Sequence, residues 1–191
     1  MAIFQATIQH DDKTFESLAH MQYDLFCQRN RISRTILSVA AILIGIVNSE
    51  AWWGILAIAY GCYLTTSTYS AANNTAHKLA KNIRETGMDF PSSSYRFEEE
   101  QMLILPVQEE NSTEDPVPYS QFLKLGEDQN YFYLFPNPYG GYMISKTDVD
   151  EEAFRDFIRR KTGKEIFRRT APVIKLIQKM KDQRTKPYRL Q

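Results

Sequence analysis

The longest apolar run of the chain lies in its first half and contains a single charged residue. It extends from Thr35 to Ala76, and Glu50 divides it into two segments. In the second segment, the strongly apolar part from Trp52 to Tyr69 would be about 27 Å long as a helix, close to the roughly 30 Å thickness of bilayer hydrocarbon. The first, Thr35 to Ser49, would reach about 22 Å and needs its flanks or a locally thinner bilayer. This pattern predicts a two-helix transmembrane hairpin over residues 34–76, with a pair of buried core helices as the alternative.

Basic residues at the two open ends of the hairpin predict its orientation. The residues before the first segment are Arg29, Arg31 and Arg34, and those after the second are Lys78, Lys81 and Arg84. The connecting turn contains no Lys or Arg. Because basic residues favour the cytoplasmic side, we expect both termini to face the cytoplasm, with Glu50 in the outer turn. Trp52 and Trp53 would then lie at the level of the outer headgroups.

Small residues recur at four-residue spacing in both segments. They are Ala41, Gly45 and Ser49 in the first, and Ala57, Gly61 and Thr65 in the second. In lipid, such residues allow helix backbones to approach closely. Packing inside one hairpin is the simpler use, and a dimer or oligomer face is the alternative. The polar continuation from Thr65 to Ala76 is expected to be a helix that emerges at the cytoplasmic interface, although it could line a polar path in an oligomer.

The N-terminal segment, residues 1–33, predicts one strand and one helix. Apolar and polar residues alternate in the strand "IFQATIQ". Asp11 or Asp12 can cap the following helix, whose apolar face consists of Phe15, Leu18, Met21, Leu25 and Phe26. A strand needs a sheet to join, and the other predicted strands all follow the hairpin. The hairpin is therefore expected to be inserted within a domain.

Residues 77–93 predict a cytoplasmic helix extension and a linker, and the strands begin after them. The predicted strands are "YRFEE", "MLILPV", "YSQFLKLG", "YFYLF" and "GYMIS". They predict an antiparallel meander closed by an amphipathic helix, with Asp148 as N-cap, Glu151 completing a capping box and Gly163 as the C-terminal stop. Together they predict an α+β fold, with a pleckstrin-homology-like (PH-like) β domain over residues 94–163.

The order of these elements and several of their motifs resemble the YcxB-like family of bacterial membrane proteins. The matching positions are Tyr119-Ser120, Tyr131 to Phe135, Tyr142 to Lys146, and Phe154 to Ile158. The resemblance covers most of the chain from Ala2 to Lys161. It implies a PH-like cytoplasmic domain on a hairpin anchor in the bacterial cytoplasmic (inner) membrane, and it brings no agreed catalytic residues.

Charge is balanced overall but unevenly distributed. Residues 96–128 contain nine acidic and two basic residues, which predicts a solvated acidic face, whereas residues 155–189 contain thirteen basic and three acidic ones. Pro172 can open a basic amphipathic helix in the tail, residues 164–191. Such a helix beside a membrane is expected to bind anionic lipid headgroups or a partner. The candidate binding residues are Arg168, Arg169, Lys175, Lys179 and Lys181. The same charges could bind nucleic acid, but no motif for reading bases accompanies them.

Catalytic and metal-binding motifs are absent from the sequence. The three histidines are isolated, and no HExxH, CxxC or phosphate-binding glycine loop occurs. Cys27 and Cys62 are too few for a disulfide framework. We therefore expect no enzyme activity, no cofactor and no metal.

Two functional hypotheses follow for this membrane-located chain. The first is a non-enzymatic interaction or regulatory protein that presents a PH-like domain at the cytoplasmic face, with a protein partner or a second copy. The alternative is an immunity or defence protein, whose hairpin binds a membrane-inserting toxin or oligomerises as a ligand-gated pore.

Overall fold

The computed structural model describes residues 2–86, 90–105 and 115–169. The N-terminal part contains one strand and three helices: β1 (Phe4–Gln9), α1 (Asp12–Phe26), α2 (Gln28–Val47) and α3 (Trp52–Glu85). The following described part contains β2 (Ser92–Phe97), β3 (Gln101–Leu105), β4 (Asp115–Pro118), a 3₁₀ turn (Tyr119–Gln121), β5 (Lys124–Glu127), β6 (Tyr131–Asn137), β7 (Gly140–Ser145), α4 (Glu151–Thr162) and β8 (Ile166–Arg168). The predicted α+β class is confirmed.

The strands form two sheets of four, in the orders β1-β2-β3-β4 and β7-β6-β5-β8. All pairings are antiparallel except the one between β5 and β8, which is parallel. Consecutive strands from β2 to β4 and from β5 to β7 pair antiparallel, as in the predicted meander, but they divide between two sheets, and the prediction missed both β4 and β8. The segment "YSQFLKLG" was predicted as one strand, but its first three residues form the 3₁₀ turn that separates the sheets.

The three helices α1 to α3 are inserted between two neighbouring strands of one sheet. β1 pairs antiparallel with β2, so that Phe4 lies opposite Phe97 and Gln9 opposite Ser92. Because β1 precedes the helices and β2 follows them, the chain leaves the β domain and returns to the adjacent strand. This confirms the prediction that the N-terminal strand completes a sheet made after the hairpin.

Aromatic side chains form the core between the sheets and α4. The rings of Phe97 and Phe132 each lie 5.0 Å from the ring of Phe154 on α4, and the Phe97 contact is edge-to-face. Phe4 also meets Phe154 edge-to-face at 5.3 Å. All but Phe4 are fully or almost fully buried. Burial of each such ring contributes about 1.5–3 kcal/mol, so β1, β2, β6 and α4 are held together as one unit.

The caps of α4 explain why the helix begins and ends where it does. Its N-cap is Asp150, whose carboxylate accepts a hydrogen bond from the amide of Ala153 at 2.8 Å. The prediction of Asp148 was wrong, because that carboxylate instead accepts from the amide of Thr7 at 3.0 Å and ties β1 to the helix entry. Gly163 ends the helix as predicted, in the left-handed conformation with φ +65° that glycine adopts without strain.

One helix in the described ranges is long and apolar enough to cross a membrane. It is α2, and 11 % of its most apolar stretch is buried inside the protein. The predicted second segment forms the N-terminal part of α3, which is one continuous helix of 34 residues and does not qualify by composition. Hydroxyl groups and tyrosines dilute its apolar content.

Strands extend beyond residues 94–163, the predicted β domain, at both ends. β2 begins at Ser92 rather than 94, and β8 brings residues 166–168 of the predicted tail into the second sheet. α3 ends at Glu85, which agrees with a helix extension beyond residue 76. The amphipathic helix predicted from Pro172, with Lys175, Lys179 and Lys181, lies outside the described residues.

Candidate functional site

Glycines allow α2 and α3 to pack against each other as an antiparallel pair. A Cβ on Gly45 would lie 2.5 Å from Ile58 Cγ1 and 2.6 Å from the carbonyl oxygen of Gly54. A Cβ on Gly61 would lie 2.6 Å from Ile42 Cγ1. No real Cβ tolerates such distances, so the helices are close because these positions carry no side chain.

Small buried residues recur at seven-residue spacing in this hairpin, whereas the predicted spacing was four residues. They are Ser38 and Gly45 in α2, and Gly54, Gly61 and Thr68 in α3, where Leu64 is buried as well. Among the predicted residues, Gly45 and Gly61 are buried, Ala41, Ala57 and Thr65 are half-buried, and Ser49 is exposed. Ser38 and Gly54 were missed, although a seven-residue pattern through the two predicted glycines would have found them. Gly45 and Gly61 thus contact the other helix of the same hairpin.

The outer surface of the hairpin is apolar and exposed. The large side chains that are more than half exposed include Ile36, Leu37, Val39, Leu43, Ile44, Ile46 and Val47 on α2, and Trp52, Ile55, Leu56, Tyr60 and Tyr63 on α3. An apolar surface of this extent marks a membrane or protein interaction site. Trp52 and Glu50 lie at the closed end of the hairpin, whereas Arg31 and Arg84 lie towards its open end.

Helix α1 joins the hairpin to the β domain, and one of its faces packs on α3. Phe15 and Ala19 of α1 form a small buried cluster with Ala72 and Ala76 of α3. A hydrogen bond of 3.1 Å between Tyr23 Oη and Thr75 Oγ1 and an ion pair between Asp12 and Arg84 flank this cluster. Ala72 and Ala76, in the segment that could have lined an oligomer path, therefore face α1.

The other face of α1 packs on the second sheet. A Cβ on Gly126 of β5 would lie 2.6 Å from Met21 Sδ, so the strand and the helix meet at closest range there. The Ser17 hydroxyl lies 2.7 Å from Tyr133 Oη, and both contact the carboxylate of Asp128. Burial, followed by this carboxylate, raises the pKa of Tyr133 well above its ordinary value. The phenol therefore stays protonated and can donate to Asp128.

A cleft of about 500 Å³ lies where α1, α2 and β8 meet, at the open end of the hairpin. Its basic wall consists of Arg31, Arg168 and Arg169. Asp24 lies between two of them and pairs with Arg31 and, at 3.1 Å, with Arg169. The guanidinium of Arg31 also stacks over the ring of Tyr69, 5.3 Å from its centre. Arg168 and Arg169, which belong to the predicted basic tail, thus line the same cleft as Arg31, which precedes the predicted hairpin segment, residues 34–76.

Glu127 of β5 holds β8 against the rest of the domain. Its side chain is only 5 % exposed, and its carboxylate contacts Arg168 at 2.5 Å, Arg155 at 3.0 Å and Lys146 at 3.6 Å. The prediction of a solvated acidic face was wrong for this residue. Strand alternation in "KLGE", which places Glu127 on the side of buried Leu125, is the signal that could have found it.

The described residues contain no group of three or more His, Cys, Asp or Glu side chains that could hold a metal ion.

By its fold and its candidate site, the chain belongs to the class of α+β proteins in which a helical hairpin with an exposed apolar surface is inserted into a β domain. A family model described as "YcxB-like protein" matches residues 97–158, about one third of the chain. The match begins at the last residue of β2 and ends within α4, so the predicted resemblance to the YcxB-like family is confirmed for that segment. No curated protein and no solved structure matched the chain.

Proposed function

We propose that this protein is a membrane-anchored, non-enzymatic interaction or regulatory protein of the bacterial cytoplasmic membrane. The hairpin of α2 and the first half of α3 spans the bilayer, and the PH-like β domain stands at the cytoplasmic face together with both termini. The observation that carries the proposal is the exposed apolar surface of the hairpin, at whose open end lies the cleft lined by Arg31, Arg168 and Arg169.

Two features support a spanning hairpin although α2 alone qualifies by composition. The first is that Ile55, Leu56 and Tyr60 of α3 are more than half exposed, next to the apolar surface of α2. The second is that the polar groups at the interface, such as Ser38 and Thr65, bond to each other and to backbone carbonyls within the hairpin. Hydrogen bonds made inside a helix pair lower the cost of placing its polar groups in lipid, and of the buried hydroxyls at this interface only that of Thr68 has no partner among the described residues.

The description of the β domain as PH-like is supported by its strand order. Four antiparallel strands, β1 to β4, are followed by the antiparallel strands β5 to β7 and then by α4. The helix covers the core between the two sheets through Phe154 and Phe157. Because α1 packs on both α3 and β5, a partner bound to this domain would be held at a fixed position relative to the membrane.

Alkaline extraction of membranes tests the anchor, and cysteine labelling tests the orientation. The full chain should remain in the membrane pellet after a carbonate wash, and a chain lacking residues 34–76 should not.

In a chain with Cys27→Ala and Cys62→Ala, an impermeant maleimide added to intact spheroplasts should label Glu50→Cys. Ser120→Cys, exposed on the β domain, is the matched control and should react only after lysis. Release of the full chain by carbonate, or the reverse labelling, contradicts the proposal.

The defence or pore alternative can be separated from an anchor by measuring membrane potential. An anchor should leave the potential unchanged when the intact chain is expressed without partners, whereas a pore should dissipate it. Gly45 and Gly61 pack inside one hairpin, so these glycines do not by themselves favour the pore. Depolarisation by the unmodified chain would replace the anchor proposal.

A further inference from the structure

The cleft at the foot of α2 continues into an apolar groove. The groove has a volume of about 400 Å³ and runs along the outer side of the helix. Gln28, Ile32 and Ile36 line both the cleft and the groove, so the two are continuous. Ile32 is 53 % and Ile36 is 65 % exposed. The basic cleft thus opens directly onto the apolar groove at the level where α2 would enter the bilayer.

The charges in the cleft favour an anion. Three guanidinium groups, those of Arg31, Arg168 and Arg169, line it together with the single carboxylate of Asp24. The ion pairs of Arg168 with Glu127 and of Arg169 with Asp24 are closest at Nε. Because the Arg168 side chain is 64 % and the Arg169 side chain 36 % exposed, both can donate hydrogen bonds to a phosphate while they keep these pairs.

We propose that this cleft binds the phosphate headgroup of an anionic phospholipid from the cytoplasmic leaflet. The phosphate lies against Arg168 and Arg169, and one acyl chain follows the groove along Ile32 and Ile36. The inference rests on the proposed function, because a lipid can reach the cleft only if α2 is embedded.

A lipid fits the cleft better than a free phosphate does. Inorganic phosphate would use the arginines but would leave Ile32, Ile36 and Phe167 exposed to water. A lipid covers both the charged and the apolar walls, and burial of apolar surface adds to the electrostatic attraction. The planar guanidinium group of arginine presents pairs of N–H donors that match the geometry of phosphate oxygens.

Native mass spectrometry of the full chain in detergent micelles tests the proposal. The probes are a short-chain phosphatidylglycerol, a phosphatidylcholine with the same acyl chains, and inorganic phosphate. We expect the protein to retain phosphatidylglycerol in preference to the other two. In Arg168→Gln/Arg169→Gln, the apparent affinity for phosphatidylglycerol should fall on the order of tenfold.

The matched control is Arg159→Gln/Arg160→Gln, which removes the same charge from α4, away from the cleft. It should change the affinity by less than about twofold. Arg168→Lys/Arg169→Lys keeps the charge and should recover most of the affinity. Because Arg168 also pairs with Glu127, thermal melts should confirm that all these variants fold. If only the Gln pair fails to fold, Ile36→Trp, which fills the groove without a change of charge, replaces it and should weaken lipid binding.

Several outcomes would overturn the lipid site. They are equal retention of phosphatidylcholine, equal binding of inorganic phosphate, or an equal loss of affinity in the Arg159 and Arg160 control. Alkaline extraction of the same proteins separates this failure from failure of the proposed function. A chain that stays in the membrane but shows no preference for phosphatidylglycerol contradicts the lipid site alone, whereas a chain released by carbonate contradicts the anchor.

Discussion

The hydroxyl of Ser38 donates a hydrogen bond to the carbonyl oxygen of Gly61 at 2.7 Å, from one helix of the hairpin to the other. Thr65 lies one helical turn further along α3, and its hydroxyl is 2.5 Å from that of Ser38. Such a bond forms only where the backbones approach closely, and Gly61 provides that approach. The hairpin is therefore held by close packing and by polar contacts of the kind that remain effective in lipid.

Adding a methyl group at the glycines should separate the helices. We expect Gly45→Ala or Gly61→Ala to destabilise the hairpin by about 1–3 kcal/mol, because the added Cβ meets backbone oxygens that cannot move aside. For Gly61, that oxygen is the carbonyl of Ser38, 2.8 Å away. Thermal unfolding in detergent measures the loss.

The matched control for these variants is Gly140→Ala. A Cβ at this position has no neighbour within 4 Å, so its stability should match the parent chain. A loss at Gly140 as large as that at Gly61 would contradict the packing argument. Replacing both hairpin glycines by Leu would disrupt an anchor as well as a pore, so the membrane potential is best measured with the unmodified chain.

Local periodicity and cap signals predicted the order of most elements and the insertion of the hairpin. The β1 strand pattern, the cap of α1, predicted at Asp11 or Asp12 and found at Asp11, and the Gly163 stop depend on neighbours in sequence, and all three are present in the structure. β4 and β8 were missed because each has only three or four residues, too few for alternation to be read. Asp148 was mistaken for a cap because its actual partner, the amide of Thr7, is 141 residues away.

The candidate cleft could be predicted only in part, because it is assembled from distant parts of the chain. Arg168 and Arg169 were identified from their charge, and Arg31 from its place before the hairpin. Only the three-dimensional fold brings them together, through the parallel pairing of β8 with β5. Glu127, which holds β8 there, was assigned to a solvated acidic face because charged side chains are seldom buried unless they are paired, and its partners lie far away in the sequence.

The contact between α1 and β5 should give a measurable coupling energy. Gly126→Ala should cost about 1–3 kcal/mol, because the new methyl group meets Met21 Sδ. Met21→Ala should cost about 2–5 kcal/mol, because the side chain is fully buried. The double variant should lose less than the sum, since the shortened side chain makes room for the added methyl group. Denaturant titration of the four proteins measures the cycle, and strict additivity would show that the two residues do not restrain each other.

Removing the charge of Glu127 should weaken the second sheet. Glu127→Gln leaves Arg155 and Lys146, which are 17 % and 10 % exposed, without their buried counter-charge. Breaking a buried pair costs about 3–5 kcal/mol, and Glu151, which contacts both cations, should keep the loss near the lower end. Thermal unfolding measures it. Glu165→Gln removes an exposed charge near the same strand and should cost less than about 0.5 kcal/mol.

Alkaline pH should destabilise the protein through its buried tyrosines, and Tyr133 provides the clearest test. Burial and Asp128 raise its pKa in the folded state above the value of 10.0 expected when unfolded. Below about pH 10 both states keep the proton, so this stabilisation is fully present. Above about pH 10 the tyrosine of the unfolded chain loses its proton first, and stability should fall as pH rises.

Tyr133→Phe should lose about 1 kcal/mol at neutral pH, because its hydrogen bonds are lost, but its stability should fall less steeply above pH 10. Tyr139→Phe, at a position that is 90 % exposed, is the control and should follow the parent chain in denaturant titrations from pH 8 to 11. An equally steep fall in Tyr133→Phe would show that other groups cause the alkaline loss.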